Sequence, residues 1–343
     1  MQQSRSTATL LLLCTLVLVF AAVHFASAIV APAAFALFVI AIVWPLQRVL
    51  QGKIPKLLAL VITILVTLAA IAVLVYLILW AFGVVGQWLI ANTDRFQSLY
   101  EQTIDWLDDH GVPASSLIAE KYSPAWIIGA VREVAGRGYR LVSFFVLTFA
   151  FVVLGLLEVE IARKNIEHLR DSTLQKSLLT AGKEIAAKFQ KYMLVRSAMS
   201  ALTGIVVWSF ALIMGIELAT AWGVIAFVLN YIPFIGALLA TIFPTIFVLA
   251  QSESWQLAIV VFGCLCLIQF FIGSYLEPRV AGAALSMSPF VVLFSVCYWS
   301  FLWGIAGAFI GVPIMIAVLT LCDEHPSTRW IAILLSGRES KST

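Results

Sequence analysis

Asn230 is a carboxamide near the middle of a 35-residue run, 218–252, that holds no Asp, Glu, Lys or Arg. Pro233 and Gly236 follow within six residues. Proline lacks a backbone donor and glycine permits a sharp turn, so a helix here is expected to break. An amide beside freed carbonyls is a set of oxygens that can grip a polar molecule or a hard cation. The plainer role for Asn230 is a hydrogen bond between helices, worth about 0.6 kcal/mol in membranes. Glu277-Pro278-Arg279 places an acid and a base around a proline, either an interfacial ion pair ending a helix or a gate that exchanges partners. Ser286-Met287-Ser288-Pro289 reads as a helix start, with Ser288 as the cap and Pro289 in the first turn. Free N–H groups and partial positive charge at such a start can meet a polar substrate.

Other chemistries lack their residues. There is no G-x-x-x-x-G-K-[ST], no H-E-x-x-H and no G-x-S-x-G, and no other catalytic constellation is evident, so no enzyme is expected. His24, His110, His168 and His325 are scattered, and only His24 falls in an apolar run. The five cysteines form no C-x-x-C, and Cys264 and Cys266 point to different faces of a helix. Neither a metal nor another cofactor is expected. A net charge of +3 offers nothing to nucleic acid.

The elements that must position these residues are membrane helices. Of 343 residues, 62% are hydrophobic and 11% are charged, against about 25% charged in soluble domains. Charge-free windows cover 6–47, 57–93, 141–157, 197–216, 218–252, 254–276 and 280–322. About 20 apolar residues span a bilayer core as helix. Window 6–47 is divided at Ala31-Pro32 into helices near 8–30 and 33–47. Arg5, the apolar run and Ala26-Ser27-Ala28 imitate a signal peptide, but the run exceeds the usual 7–15 residues or so, and an uncleaved span is expected. Window 57–93 is one long helix, and further helices lie near 139–157 and 195–216. Windows 218–252 and 280–322 would be about 52 and 65 Å long as straight helices. The second contains Gly304, Gly307, Gly311 and Pro313, so both are expected to be broken. The fold class is all-α and polytopic, with about seven to eight membrane segments, two of them discontinuous.

Charge sets the expected orientation. Arg48, Lys53 and Lys56 stand without an acid in 48–56, and 158–196 has eight bases against five acids. Segment 92–138 has seven acids against four bases. The basic segments belong inside and 92–138 outside, with both termini cytoplasmic. The expected organisation is 1–91 as N-terminal membrane helices, 92–138 as an extracytoplasmic amphipathic cap and 139–157 as a membrane helix. A cytoplasmic helical segment, 158–194, precedes a C-terminal membrane domain, 195–322, and a cytoplasmic tail, 323–343. Phe96, Leu99, Tyr100, Thr103 and Leu107 give the cap its helical spacing, which Gly111 and Pro113 end. Beyond Glu217, windows 218–252 and 280–322 either cross once each or double back as hairpins. Composition and spacing fit both.

With these residues in view the chain resembles the autoinducer-2 exporter family of bacterial inner-membrane permeases. Asn230 to Gly236 resembles its I-P-x-x-G signature, and Leu276-Glu277-Pro278-Arg279 with Gly282, Leu285 and Ser286 resembles a second motif. Trp303 to Gly307 and Gly311-Val312-Pro313 look like its closing block. Pro32, Trp44-Pro45-Leu46 and Leu157-Glu158 also fit. The resemblance implies a multi-pass transporter of small molecules in the bacterial inner membrane, working as a homo-oligomer, with pentamers the expected state. Members are linked to export of the quorum-sensing signal autoinducer-2, and others to sodium–proton exchange.

The expected function is export of a small polar molecule by alternating access of the broken elements, with the lipid bilayer, the substrate and other copies of the chain as partners. Asn230, Pro233 and Gly236 would form one half of the substrate site, and Ser286 and Ser288 with the Gly304–Pro313 block the other. Glu277, Pro278 and Arg279 would form a latch, and Gly304, Gly307, Gly311 and Pro313 hinges. The rival expectations are a sodium/proton antiporter, a passive pore and a membrane scaffold that transports nothing.

Overall fold

In lipid the backbone must bond to itself, and a helix does this within one segment. The computed structural model describes residues 2–111, 125–281, 287–325 and 327–336, and among these every regular element is a helix. In chain order they are α1 (Gln2–Phe25), α2 (Ser27–Gln51), α3 (Lys56–Ala91), α4 (Thr93–Asp109), α5 (Ala125–Glu167) and α6 (Ser172–Ile213). Then come α7 (Ala219–Leu229), α8 (Ile235–Ser252) and α9 (Trp255–Gln269). A π-helical segment, Phe270–Leu276, continues α9 into the short α10 (Glu277–Ala281). The last elements are α11 (Pro289–Glu324) and α12 (Arg329–Leu335). Seven helical stretches among the described residues are long and apolar enough to cross a membrane. The protein is a polytopic helical membrane protein.

The first joint differs from expectation. The chain turns at Ala26, and Pro32 lies inside α2. A proline in the second turn removes a single early hydrogen bond, and the Ala26 carbonyl still accepts from Ile29 and Val30. The segment 158–194 is helical on both sides of its joint. Its arms are the ends of α5 and α6, joined at residues 168–171, where Asp171 accepts the backbone N–H groups of Thr173 and Leu174.

The chain divides into two compact units. One comprises Met1–Leu68, Phe144–Tyr192 and Ala283–Thr343. In it Ala36 and Ile40 of α2 pack with Val152 and Leu156 of α5. Phe35 meets the rings of Phe144, Phe145 and Phe309 at 5.4 to 6.1 Å between centroids. Its distinctive element is α11. Ser288 caps this helix by accepting the N–H of Val291 at 3.3 Å, with Pro289 in the first turn, as the order of residues predicts. At Gly304 the helix breaks with φ 64° and ψ −141°, a conformation open essentially to glycine alone. Beyond it the chain returns along itself, and the buried Ser295 hydroxyl donates to the Gly311 carbonyl at 2.6 Å.

The other unit comprises Ala69–Ser143 and Met193–Gly282. Its core surrounds α7, whose Ala221, Trp222, Ile225 and Ala226 are buried with Ala81 and Val85 of α3, Val207 of α6, Phe247 of α8 and Val261 of α9. A helix apolar on all sides belongs in such a place. At 11 residues, α7 rises only about 16 Å, too short to cross a bilayer core of about 30 Å. It turns back through 230–234 into α8, with Trp222 and Phe247 in edge contact at 5.1 Å. Between crossings and hairpins, which the sequence leaves open, both broken elements are hairpins.

Candidate functional site

The tip of the α7–α8 hairpin is built from what Pro233 and Gly236 permit. Gly236 lies so close beneath the end of α7 that a Cβ there would come 1.8 Å from the Leu229 carbonyl oxygen. Its N–H bonds back to Ile232, and that of Ile235 to Pro233. Phe234, between them, takes φ 61°, which a side chain rarely adopts. Among the described residues the other non-glycine positions with positive φ are Leu218, before α7, and Glu253, after α8. Each such residue costs about 1–3 kcal/mol, so every corner of this hairpin is held against local preference.

Polar groups gather at this tip. Asn230 is buried and donates from Nδ2 to Ser200 Oγ at 3.4 Å. Tyr231 donates its phenol to Ser197 Oγ at 2.9 Å. Arg196, one turn before Ser200 on α6, donates from Nε to the Tyr231 carbonyl at 3.4 Å and from Nη1 to Glu277 Oε1 at 2.5 Å. Arg196 is 6% exposed, and it is the one charged side chain among the described residues that is buried. Removing a charge from water costs several kcal/mol unless a partner is well placed. Glu277 is that partner, carried by the π-helical segment and α10. Runs of i→i+5 hydrogen bonds are rare and concentrate at functional sites.

The hairpin's open end is tied at one place. Trp88 Nε1 donates to Glu217 Oε2 at 2.6 Å, and the Glu217 N–H donates to Gln251 Oε1 at 2.9 Å. Gln251 donates in turn to the Gly215 carbonyl, and its own carbonyl accepts from Arg95. Entry and exit of the hairpin therefore lie together, a helix length from the tip.

Asn230, Pro233 and Gly236 thus share one tip, and Glu277 reaches the same cluster through Arg196. Arg279 does not pair with Glu277 but lies over the Tyr275 ring at 3.9 Å from its centroid, while Pro278 stands inside α10. Ser288, Gly304, Gly307, Gly311 and Pro313 belong to the other unit, where Ser288 caps α11 and the glycines lie at its break and on its returning leg. Ser286 falls outside the described residues. Sequence reasoning missed Arg196, Ser197, Ser200 and Tyr231. A signal existed: Arg196 bounds an apolar window, and Arg196, Ser200 and Thr203 recur at helical spacing on one face of α6.

Comparison with known proteins covers almost the whole chain. A family model described as AI-2E family transporter matches residues 13–327. The "AI-2 transport protein TqsA" of Escherichia coli (strain K12) is 27% identical over 323 residues, 94% of this chain and 93% of that one. YhhT of the same organism is 28% identical over 338 residues, 97% and 95% of the two chains. YrrI of Bacillus subtilis (strain 168) is 23% identical over 241 residues, 66% of each.

Proposed function

The chain belongs to the AI-2E family of transporters, and from that premise we propose that it carries a small polar molecule across the bacterial inner membrane, bound at the tip of the α7–α8 hairpin. One observation carries this reading. The one buried charge among the described residues, Arg196, lies at this tip beside a buried amide, two serines and a tyrosine. Ionisable groups inside membrane spans are expensive and mark substrate pathways. Asn230, Ser197, Ser200 and Tyr231 supply both donors and acceptors, which suits a hydroxylated cargo. The name of the E. coli relative makes AI-2 the first such cargo to assay.

Access alternates when the hairpin shifts against α6, with Arg196 and Glu277 parting and rejoining. The basic segments around 48–56 and 158–196 support an orientation with both termini and the first half of α6 on the cytoplasmic side. The working form is a homo-oligomer. The test is counterflow of labelled AI-2 in proteoliposomes. Saturable counterflow that Asn230→Ala lowers about tenfold supports a carrier with its site at this tip. Undiminished counterflow in that variant moves the site elsewhere, and flux that never saturates replaces the carrier with a pore.

A further inference from the structure

We propose that the cargo is a hydroxylated anion, which takes the place of the Glu277 carboxylate on Arg196. The inference rests on the reading that cargo binds at the α7–α8 tip, and it adds the sign of its charge.

Arg196 and Glu277 are unequal partners. The arginine side chain is 7% exposed and the glutamate 20%. Arg196 is fixed twice, by Glu277 and by the Tyr231 carbonyl, and it stands on the continuous α6. Glu277 has a single bond to Arg196 and stands where π-helical bonding gives way to α-helical. When the pair opens, the glutamate is the group that leaves and the guanidinium is the group that stays buried.

A buried guanidinium without a counter-charge is strongly unfavourable. Any occupant that separates the pair must therefore bring negative charge with it, or the charge is stranded. A neutral polyol supplies hydroxyls for the Asn230 amide, Ser197 and Ser200 but nothing for Arg196. A carboxylate or other oxyanion satisfies Arg196 with two parallel bonds, a geometry that the guanidinium fork favours. Arg196 holds Glu277 through Nη1 and the Tyr231 carbonyl through Nε, so an oxyanion that replaces Glu277 meets the guanidinium at its terminal end. The paired site is neutral, and with Glu277 withdrawn it carries one positive charge. An anion restores neutrality, so the loaded and empty sites carry the same net charge while the glutamate moves to water.

The test compares glycerate with glycerol, a pair that matches in size and hydroxyls and differs in charge. The readout is thermal unfolding of the full-length protein in detergent, at constant ionic strength set with chloride. In Glu277→Gln, which removes the competing carboxylate, glycerate should raise the midpoint saturably, with half-saturation at least about tenfold lower than in the wild type. Glycerol and chloride should leave it unmoved. Arg196→Gln in the Glu277→Gln background, an uncharged pair, should abolish the glycerate effect. Should that double variant fail to fold, Arg196→Lys serves, and glycerate stabilisation should weaken with the loss of the fork. If glycerol stabilises as well as glycerate, and Asn230→Ala removes its effect, the tip remains the cargo site and the charge requirement is overturned. If neither compound acts on any variant, both the inference and the site it rests on fall.

Discussion

Arg196 and Glu277 are 81 residues apart in the chain and 2.5 Å apart in the fold, joined by a bond that closes α6 against the end of the π-helical segment. Because both side chains are largely withdrawn from solvent, breaking the pair from one side strands the other charge.

Glu277→Gln, which strands the more deeply buried guanidinium, should lower stability by about 3 kcal/mol, and Arg196→Gln by less, since Glu277 is the more exposed partner. The double variant should lose much less than the sum, since it leaves no unpaired charge. A thermal-unfolding cycle in detergent checks this. Additive losses would mean that the two side chains act independently.

Gly236→Ala should be among the most disruptive single-methyl additions in the chain, at about 3 kcal/mol or more, because the new Cβ would be driven against the Leu229 carbonyl. Gly182→Ala, where nothing lies within 4 Å, is the matched control and should gain up to about 1 kcal/mol from helix propensity. Yield of folded protein and its melting midpoint give the comparison. Equal tolerance of both would mean that the tip has room to open.

Phe234→Gly should stabilise the protein by about 1 kcal/mol, since glycine accepts φ 61° without strain and the phenyl ring is largely exposed. A higher melting midpoint is the expected result. A lower one would show that the ring holds the tip in place and outweighs the strain.

A single cysteine at Ser252, in a background lacking the five native cysteines, should react with an impermeant reagent added to intact cells. Ser252 is exposed at the open end of the hairpin, beside Gln251 and its bonds to Glu217, Gly215 and Arg95. Labelling only after the cells are opened would reverse the orientation given above and place the tip nearest the outside.

Much of the architecture was legible from the distribution of charge, because lipid forces long apolar windows into helices and a window twice the bilayer thickness must break. Asn230, Pro233 and Gly236 marked the α7–α8 tip, and Gly304 marked the break in α11, since proline and glycine act on their own backbone. The boundary of α2 was misplaced at Pro32 because one lost bond in a second turn is tolerated. Arg196 was passed over for a different reason. At a window's edge a base reads as an interfacial anchor, and only the return of a distant hairpin and the arrival of Glu277 enclose it. Glu277 and Arg279 read as a pair because they are neighbours in sequence, whereas the fold sends one to Arg196 and the other to Tyr275.

The π-helical stretch Phe270–Leu276 bears on genetics as well as mechanism. A π bulge corresponds to one residue more than an α-helix needs, so losing any single codon within 270–276 allows ordinary i→i−4 bonding to resume. The span would keep its length to within about 1.5 Å, and its hydropathy and helicity would be nearly unchanged. Because the bulge absorbs its surplus residue without turning the helix beyond it, Glu277 would stay close to the face that meets Arg196. The smallest in-frame deletion is thus tolerated by the Arg196–Glu277 pair inside this stretch, whereas the same deletion in the α-helical part of α9 would turn Glu277 away by about 100°.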